Sequence, residues 1–173
     1  MEHCTSSSRV YDGRILNLRV DQVMLRNGRT TKREVIEHRG AAAIVPIIEE
    51  RNVVLVRQYR YAIATDLLEI PAGTMEQGEE PEECAVRELE EETGYRCKEI
   101  EKIMEFFSVP GYSTEEIHVY LAKGLVKSEM HTEEDEQINL EILPLENALG
   151  KIRSGEIRDA KSICALFRAT ELL

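Results

Sequence analysis

Three glutamates near the middle of the chain, Glu88, Glu91 and Glu92, have a spacing that could bind metal ions. They stand at i, i+3 and i+4, so on a helix they would be neighbours on one surface. Carboxylates this close repel one another and destabilise a helix unless a cation lies among them. Hard divalent ions such as Mg²⁺ prefer oxygen ligands and pair with substrate phosphates. The spacing therefore indicates a helix that holds metal beside a phosphorylated substrate.

Signals at both ends predict where this helix begins and ends. Pro81 suits the first turn, where its missing N–H would have no helical partner, and Gly94 suits the C-terminal stop. Between them, Ala85, Val86 and Leu89 are expected on the face opposite the carboxylates. A glutamate-rich face is also typical of a helix that is simply solvated, so the spacing alone leaves both interpretations open.

The residues around the carboxylates extend the pattern over residues 73–95. Gly73 is followed by Glu79, then by Arg87-Glu88, and the segment closes with Gly94-Tyr95. These positions resemble the signature of the Nudix hydrolases, G-x5-E-x7-R-E-U-x-E-E-x-G-U, in which U is an aliphatic or aromatic residue. No defining position is missing, which favours a metal site over a solvated face.

The resemblance implies Mg²⁺-dependent hydrolysis, with Mn²⁺ able to substitute, of a nucleoside diphosphate joined to another group. Such chemistry needs the pyrophosphate charge neutralised and a water molecule activated. Glu79 and Arg87 would form a pair that orients the helix and the preceding loop without touching the substrate. The metal ligands would be the backbone carbonyl of Ala72 and the carboxylates of Glu88, Glu91 and Glu92.

Residues outside this segment resemble the ADP-ribose pyrophosphatase branch of the family, whose products are AMP and ribose 5-phosphate. Pro110, sixteen residues after Gly94, marks that branch, whereas Tyr112-Ser113-Thr114 departs from it, because a small residue often follows the Pro-Gly. The other similar segments are Gly40 with the alanines 41–43, R-Q-Y-R at 57–60, L-E-I-P-A-G at 68–73, E-D-E-Q-I at 134–138 and G-E-I-R-D-A-K at 155–161.

The branch resemblance also implies substrate-binding residues. Arg60, together with Arg57, is expected to bind the phosphate or the terminal ribose, because a guanidinium makes bidentate contacts to phosphate. Both arginines could instead be solvated charges at a strand end. Pro110, Gly111 and Glu115 would shape the substrate loop, although Pro-Gly is also an ordinary turn dipeptide.

An acidic segment, residues 129–136, is expected to supply the general base. Glu134 is the expected group that takes a proton from water, and Glu136 is either the alternative base or a further metal ligand. Glu92 is expected to take part in catalysis as a metal ligand. A run of four acids more commonly marks a solvated loop, and the composition alone does not separate these readings.

The elements that must position these residues follow from hydrophobic periodicity and turn signals. A helix between groups of strands predicts a mixed sheet flanked by helices, an α/β Nudix-type α/β/α sandwich preceded by an N-terminal antiparallel β hairpin. We divide the chain into N-terminal strands, residues 1–38, and a Nudix domain, residues 39–173. Strands are predicted at 9–38, with a turn at Asn27-Gly28, and at 41–48, 53–56, 100–107, 117–122 and 138–143; further helices are predicted at 145–152 and 159–172.

Composition limits the class of protein. A chain of 173 residues with 42% hydrophobic and 32% charged residues suits one soluble domain. A net charge of −11 argues against a nucleic-acid or membrane partner, and divalent ions at the site would reverse the local charge for an anionic substrate. The four cysteines lack metal or disulfide spacing, so we expect reduced thiols in a cytoplasmic protein without a signal or membrane segment.

The N-terminal strands cannot bury two faces by themselves, and an exposed edge invites pairing with another chain. The resemblance implies a homodimer that exchanges these strands, with residues 20–37 of one subunit walling the nucleotide pocket of the other. Two other functions are considered: a Nudix diphosphatase for a sugar nucleotide, a dinucleoside polyphosphate or a damaged nucleotide, and a non-catalytic nucleotide sensor. The sensor is disfavoured because such domains normally lose the carboxylates that this chain keeps.

Overall fold

The structure, a computed structural model, describes residues 1–49, 51–130 and 137–173. It begins with a three-stranded antiparallel sheet of β1 (His3–Asp12), β2 (Leu16–Met24) and β3 (Thr30–His38). The predicted turn at Asn27-Gly28 joins β2 to β3, and Gly28 has a φ of 79°, which favours glycine. The N-terminal unit is therefore larger than the predicted hairpin. Its first strand starts at His3, earlier than the predicted residue 9, because backbone hydrogen bonds to β2 and not an apolar pattern hold these residues in place.

After these strands come β4 (Ala41–Ile48), β5 (Asn52–Arg60), a 3₁₀ turn (Tyr61–Ile63), β6 (Thr65–Glu69), β7 (Ala72–Thr74), α1 (Pro81–Thr93), β8 (Tyr95–Arg96), β9 (Glu99–Phe107), β10 (Glu116–Lys123), β11 (Val126–Lys127), β12 (Ile138–Pro144), α2 (Leu145–Ser154) and α3 (Ala160–Thr170). The predicted elements occur in the predicted order, and the short strands β6, β7, β8 and β11 were not predicted. Among the described residues, seven strands form a mixed sheet with one parallel pair, β4 and β10, and the central order is β12-β5-β4-β10-β9. Strand β6 pairs with β5, β7 pairs with β4, and β8 and β11 form a separate small ribbon.

Strand β4 shows why the sheet is covered on both faces. Successive side chains of a strand point to opposite faces, and this strand is apolar at every position. Ala42 and Ile44 pack with residues of α1, whereas Ala43 and Val45 pack with residues of α2 and α3. The continuous apolar run thus separates two helical layers, which confirms the α/β/α sandwich.

Helix α1 begins and ends where the sequence predicts. Glu80 and Glu83 form a reciprocal capping box around Pro81, and Gly94 ends the helix with a φ of 65°. The predicted apolar face is wrong at Val86, which is 38% exposed, and Cys84 lies in the core with Ala85 and Leu89. The prediction that the carboxylates lie opposite this face is wrong for Glu88 and Glu92, which are buried, because positions three or four residues from Ala85 and Leu89 lie on the same side of the helix.

Two observations concern the expected compartment, for which reduced thiols and no membrane segment were predicted. All four cysteines are free thiols, and none forms a disulfide. No helix in the described ranges has both the length and the apolar character needed to cross a membrane.

Candidate active site

The three carboxylates of α1 face the sheet at unequal depths. Glu88 is 9% exposed and Glu92 is 4% exposed, so both lie against the protein, whereas the Glu91 side chain is 39% exposed. The helix packs chiefly on β4 and β7, which places the start of the glycine segment beside these carboxylates. Burial of two acids on one helix face costs free energy unless donors or cations compensate for it.

Gly73 allows the closest of these approaches. It lies in β7 opposite Ala42 of β4, and the carboxylate of Glu88 packs directly on it. A Cβ at this position would come within 2.5 Å of Glu88 Oε2 and still closer to Oε1 and Cδ. The backbone of Gly73 is in a conformation open to other residues, so a larger residue here would be limited by the Glu88 side chain, which it would displace, and not by φ.

Arg87 lies among the carboxylates as the compensating cation. Its Nε and Nη2 donate to the two oxygens of Glu79 at 2.8 and 3.1 Å. Its Nη1 donates to Glu88 Oε1 at 2.6 Å and to Glu91 Oε2 at 2.9 Å. One guanidinium therefore fixes the loop before the helix and two acids on it.

These contacts set the charge states of the groups involved. Hydrogen bonds from Arg87 hold the pKa of Glu79 below its usual value, and the same bonds raise the pKa of Arg87. Burial raises the pKa of the Cys84 thiol to about 12, and the charges of Glu79 and Glu88 act in the same direction. Cys84 is therefore a protonated packing residue, and Glu79 remains ionised at neutral pH.

The segment before the helix is tied to the third acid. The backbone N–H of Ala72 donates to Glu92 Oε2 at 3.0 Å, so the residue whose carbonyl is the expected backbone ligand is bonded to one expected carboxylate ligand. Of the four carboxylates here, Arg87 pairs with those of Glu79, Glu88 and Glu91, and Glu92 accepts the hydrogen bond from Ala72. This oxygen-rich, net-negative donor set fits a hard divalent cation. With Arg87 holding these side chains, none of the described residues forms a cluster of three or more acids, histidines or cysteines spaced to hold a metal.

Arg60 stands at the end of β5 and is held by a buried acid. Its Nε and Nη2 donate to the two oxygens of Glu69 at 2.9 and 2.7 Å, and Lys161 contacts the same carboxylate. Glu69 is 1% exposed. Burial alone would raise the pKa of Glu69, but the Arg60 hydrogen bond and the Lys161 charge outweigh it, so that pKa lies below its usual value.

Arg57 does not join Arg60. It donates to Glu141 on β12 and to Glu156 after α2, both at 3.0 Å, and Lys151 completes this surface group. The two arginines expected to act together thus belong to separate ion-pair groups. The reason is their spacing of three residues, which sends side chains of a strand to opposite faces.

The loop of Pro110 and Gly111 is carried by the N-terminal sheet. Both residues are exposed and form a turn in which Tyr112 N–H donates to the carbonyl of Val109 at 3.2 Å. Ile36 of β3 exchanges two backbone hydrogen bonds with this loop, to Tyr112 and from Thr114. The Pro-Gly pair is therefore a turn, as its dipeptide type also indicates, and β3 fixes its position.

Glu115 and Gly40 lie where this loop meets the N-terminal sheet and the segment that follows Gly73. Glu115 accepts a hydrogen bond from Ser108 across the loop, and His38 Nδ1 lies 3.6 Å from its other oxygen. Gly40, with a φ of 93°, lies where a Cβ would meet both Met75 and the Glu116 carbonyl. The loop, the glycine segment and the N-terminal sheet therefore converge at Gly40.

Comparison with known proteins decides the family. The sequence model of the NUDIX domain matches residues 37–166, which is most of the chain, and that of the nucleoside diphosphate sugar hydrolase N-terminal domain matches residues 2–36. The chain belongs to the Nudix family. Residues 73–95 are its Nudix segment, and the chain is a Nudix hydrolase by membership.

Individual relatives agree with this assignment. The chain is 43% identical to the "Methanol dehydrogenase activator" of Bacillus methanolicus, with 95% of this chain and 90% of that protein covered. It is 39% identical to the "ADP-ribose pyrophosphatase" of Bacillus subtilis, with the same coverage. The crystal structure of an "ADP compounds hydrolase" superposes with a TM-score of 0.88 at 22% identity, over 99% of this chain and 94% of that one. The last match shows the shared fold.

Two of the expected functional residues have no structural description. Glu134 and Glu136, the expected base and its alternative, fall in residues 131–136, which lie outside the described residues. Their roles stay predictions. The other expected residues are grouped around the Nudix segment, at the end of β5, or in the loop between β9 and β10.

Two residues in the site had no role in the sequence analysis. Glu69 and Lys161 lie in segments that resemble the branch, yet the spacing between them in sequence gives no sign that they meet. The available signal was Glu69 itself, an acid within the apolar run Leu67 to Ile70, since a charge in a buried strand requires a partner.

Proposed function

We propose that this chain hydrolyses the pyrophosphate bond of ADP-ribose, or of a closely related nucleoside diphosphate sugar, to AMP and ribose 5-phosphate. The observation that carries the proposal is the contact of the Glu88 carboxylate with Gly73, inside a complete Nudix segment. A side chain at position 73 would displace the acid from this place. The similarity to an ADP-ribose pyrophosphatase supports the choice of substrate.

Mg²⁺ is the proposed metal, with Mn²⁺ as a substitute. Its ligands would be the Ala72 carbonyl and the carboxylates of Glu88, Glu91 and Glu92. When bound, it would neutralise pyrophosphate charge and lower the pKa of a water molecule. Arg87 would keep Glu79 and the helix in place in either state, since its bonds to Glu79 do not involve the inner acids.

The remaining residues would act directly on substrate and water. Glu134 would take the proton of the attacking water, with Glu136 as the alternative base or a further metal ligand. Arg60 would bind the phosphate or terminal ribose through donors that Glu69 leaves available. Arg57 is the weaker candidate, because its guanidinium already bridges two acids.

The loop between β9 and β10 would form part of the substrate site. Pro110 and Gly111 would shape it, and Glu115 is held at its base by Ser108. Tyr112 is 54% exposed at its tip. Attachment to β3 would make the loop geometry depend on the N-terminal sheet.

We also propose that the protein is a cytoplasmic homodimer. Every residue of β1 is exposed, so the sheet leaves both faces uncovered along this strand. Residues 1–38 would exchange between subunits, and residues 20–37 would wall the partner's nucleotide pocket. Four free thiols fit a reducing compartment.

A substrate panel tests the function. Purified protein with Mg²⁺ is given ADP-ribose, NADH, GDP-mannose and other sugar nucleotides, and diadenosine polyphosphates, and phosphate release is coupled to a phosphatase. We expect the highest kcat/KM with ADP-ribose and no turnover in EDTA. A preference for another class would assign the alternative Nudix diphosphatase function. Binding without turnover of any compound would assign the sensor function and overturn the proposal.

A further inference from the structure

Glu69 is the centre of a buried charge cluster beside the proposed site. Its carboxylate is 1% exposed and is contacted by two cations, Arg60 through both oxygens and Lys161 through Oε2. A single buried carboxylate does not need two full positive charges for neutrality. The second positive charge in this cluster is balanced by Asp159, which Lys161 also contacts.

Lys161 is fixed where it cannot reach the solvent-exposed substrate region itself. Its side chain is 12% exposed, and its Nζ also donates to Asp159 Oδ2 at 3.0 Å. Asp159 in turn caps α3 by accepting from Ser162 N at 2.9 Å. The four charges, from Glu69, Arg60, Lys161 and Asp159, sum to zero, with Lys161 on the buried side.

Arg60 is the member of this cluster that can meet a ligand. Its side chain is 38% exposed, the largest exposure in the cluster. Its Nε and Nη2 are used by Glu69, and among the described residues none bonds to Nη1. Glu69 therefore orients the guanidinium through one edge, and the other edge is available to donate to a ligand.

The cluster is joined to the metal side of the proposed site by one short segment. Ile70 N–H, adjacent to Glu69, donates to Ser162 Oγ at 2.9 Å, so the segment is clamped to the start of α3. Two residues later, Ala72 N–H donates to Glu92. A displacement of Glu69 would thus be passed to both Arg60 and Glu92.

We propose that Lys161 is a positioning residue for substrate binding: it shares the charge of Glu69, so that the exposed edge of Arg60 keeps the positive potential that attracts the anionic substrate. This inference rests on the proposed function, in which Arg60 binds the phosphate or ribose. Without Lys161, the whole charge of Glu69 falls on Arg60 and the cluster becomes net negative. An anionic ligand would then meet a neutralised guanidinium beside an extra acid.

Charge-changing variants test this directly. We expect Lys161→Met to raise KM for ADP-ribose roughly tenfold, as expected for loss of one partly screened unit charge nearby, with kcat changed by less than about twofold. Lys161→Arg should stay near wild type. The double variant Glu69→Gln/Lys161→Met restores neutrality, so its KM should fall back toward the wild-type value, although it removes more native contacts.

Controls separate this effect from loss of structure. Lys102→Met removes an exposed lysine on the outer strand β9 and should leave KM and Tm unchanged. If Lys161→Met does not fold, the double variant and Lys161→Arg still report on the inference, because removing both partners of a buried pair is tolerated better than removing one. A double variant worse than Lys161→Met, or an unchanged KM in folded Lys161→Met, overturns it.

A binding measurement keeps this inference separate from the proposed function. Calorimetric titration of ADP-ribose in EDTA gives a Kd that does not depend on turnover. If the wild type binds ADP-ribose without hydrolysing it, the proposed function fails, but the Kd of the variants must still rank as the KM values above. Equal Kd values across the variants, or no binding by the wild type, overturn the role of Lys161.

Discussion

Replacing Gly73 by alanine would test whether the site depends on the close approach of Glu88. The added Cβ would lie 2.5 Å from Glu88 Oε2 and nearer to the rest of the carboxylate. An ordinary contact needs about 3.5 Å, so the carboxylate must retreat by about 1 Å or more. The hydrogen bond from Arg87 Nη1, now 2.6 Å, would then exceed hydrogen-bond range.

The expected effects on stability and on activity are very different in size. Loss of one charge-assisted hydrogen bond costs about 1.5–3 kcal/mol, and the lower entropy of the unfolded alanine chain returns about 0.4–1 kcal/mol. A net loss of about 1–2 kcal/mol lowers Tm by roughly 2–8 °C for a chain of this length. A displacement of about 1 Å in an acid that positions the reaction lowers kcat about 100-fold or more.

The assay compares Gly73→Ala with Gly150→Ala. Gly150 lies in α2 with open space around its Cβ position, so alanine there should stabilise the helix by about 1 kcal/mol and leave activity unchanged. Both variants are measured for kcat with ADP-ribose over a range of Mg²⁺ concentrations and for Tm. A folded Gly73→Ala protein with wild-type kcat and Mg²⁺ dependence would refute the importance of this contact.

Three further predictions concern Glu92, Glu69 and the N-terminal strands. Glu92→Gln should lower kcat by several orders of magnitude with Tm unchanged or raised, because it removes like-charge repulsion; normal turnover in the folded variant would exclude Glu92 as a ligand. The pKa of Glu69 is lowered in the folded protein. The stability that its ion pairs give is therefore complete above pH 4.5 and is lost as pH falls through the lower folded-state pKa. In urea unfolding, the difference in the free energy of unfolding between wild type and Glu69→Gln should therefore shrink below pH 4.5. A difference that does not change with pH would contradict the lowered pKa of Glu69. Deleting residues 1–38 should give a monomer with a raised KM; light scattering that still shows a dimer would disprove strand exchange.

Much of the fold was predictable because periodicity and end signals are local. The continuous apolar run of β4 can only be a strand covered on both faces, and Pro81 with Gly94 bounds α1. The short strands β6 and β7 were not predictable in this way. They hold their shape through pairing with β5 and β4, and their sequence, Leu67 to Thr74, mixes apolar residues with glycine and proline.

The site was predictable to the extent that its spacing is fixed by one helix. Glu88, Glu91 and Glu92 share a face by helical geometry, whatever the rest of the chain does. The separation of Arg57 from Arg60 could also be predicted, because side chains three residues apart on a strand point to opposite faces. The meeting of Glu69 with Lys161 needs the tertiary fold, since 92 residues separate them.

This protein is acidic and its proposed substrate is an anion. The cations that would bind the substrate must therefore lie close to the acids that would bind metal without being neutralised by them, and the segment from Glu69 to Gly73 separates the two groups. At the start of this segment, the carboxylate of Glu69 contacts two cations, Arg60 and Lys161. At its end, Ala72 and Gly73 contact the carboxylates of Glu92 and Glu88. A segment of five residues spans at most about 18 Å when extended, a distance comparable to a nucleoside diphosphate sugar. Changes that lengthen or loosen this segment should therefore uncouple substrate binding from metal binding, even where every charged side chain is kept.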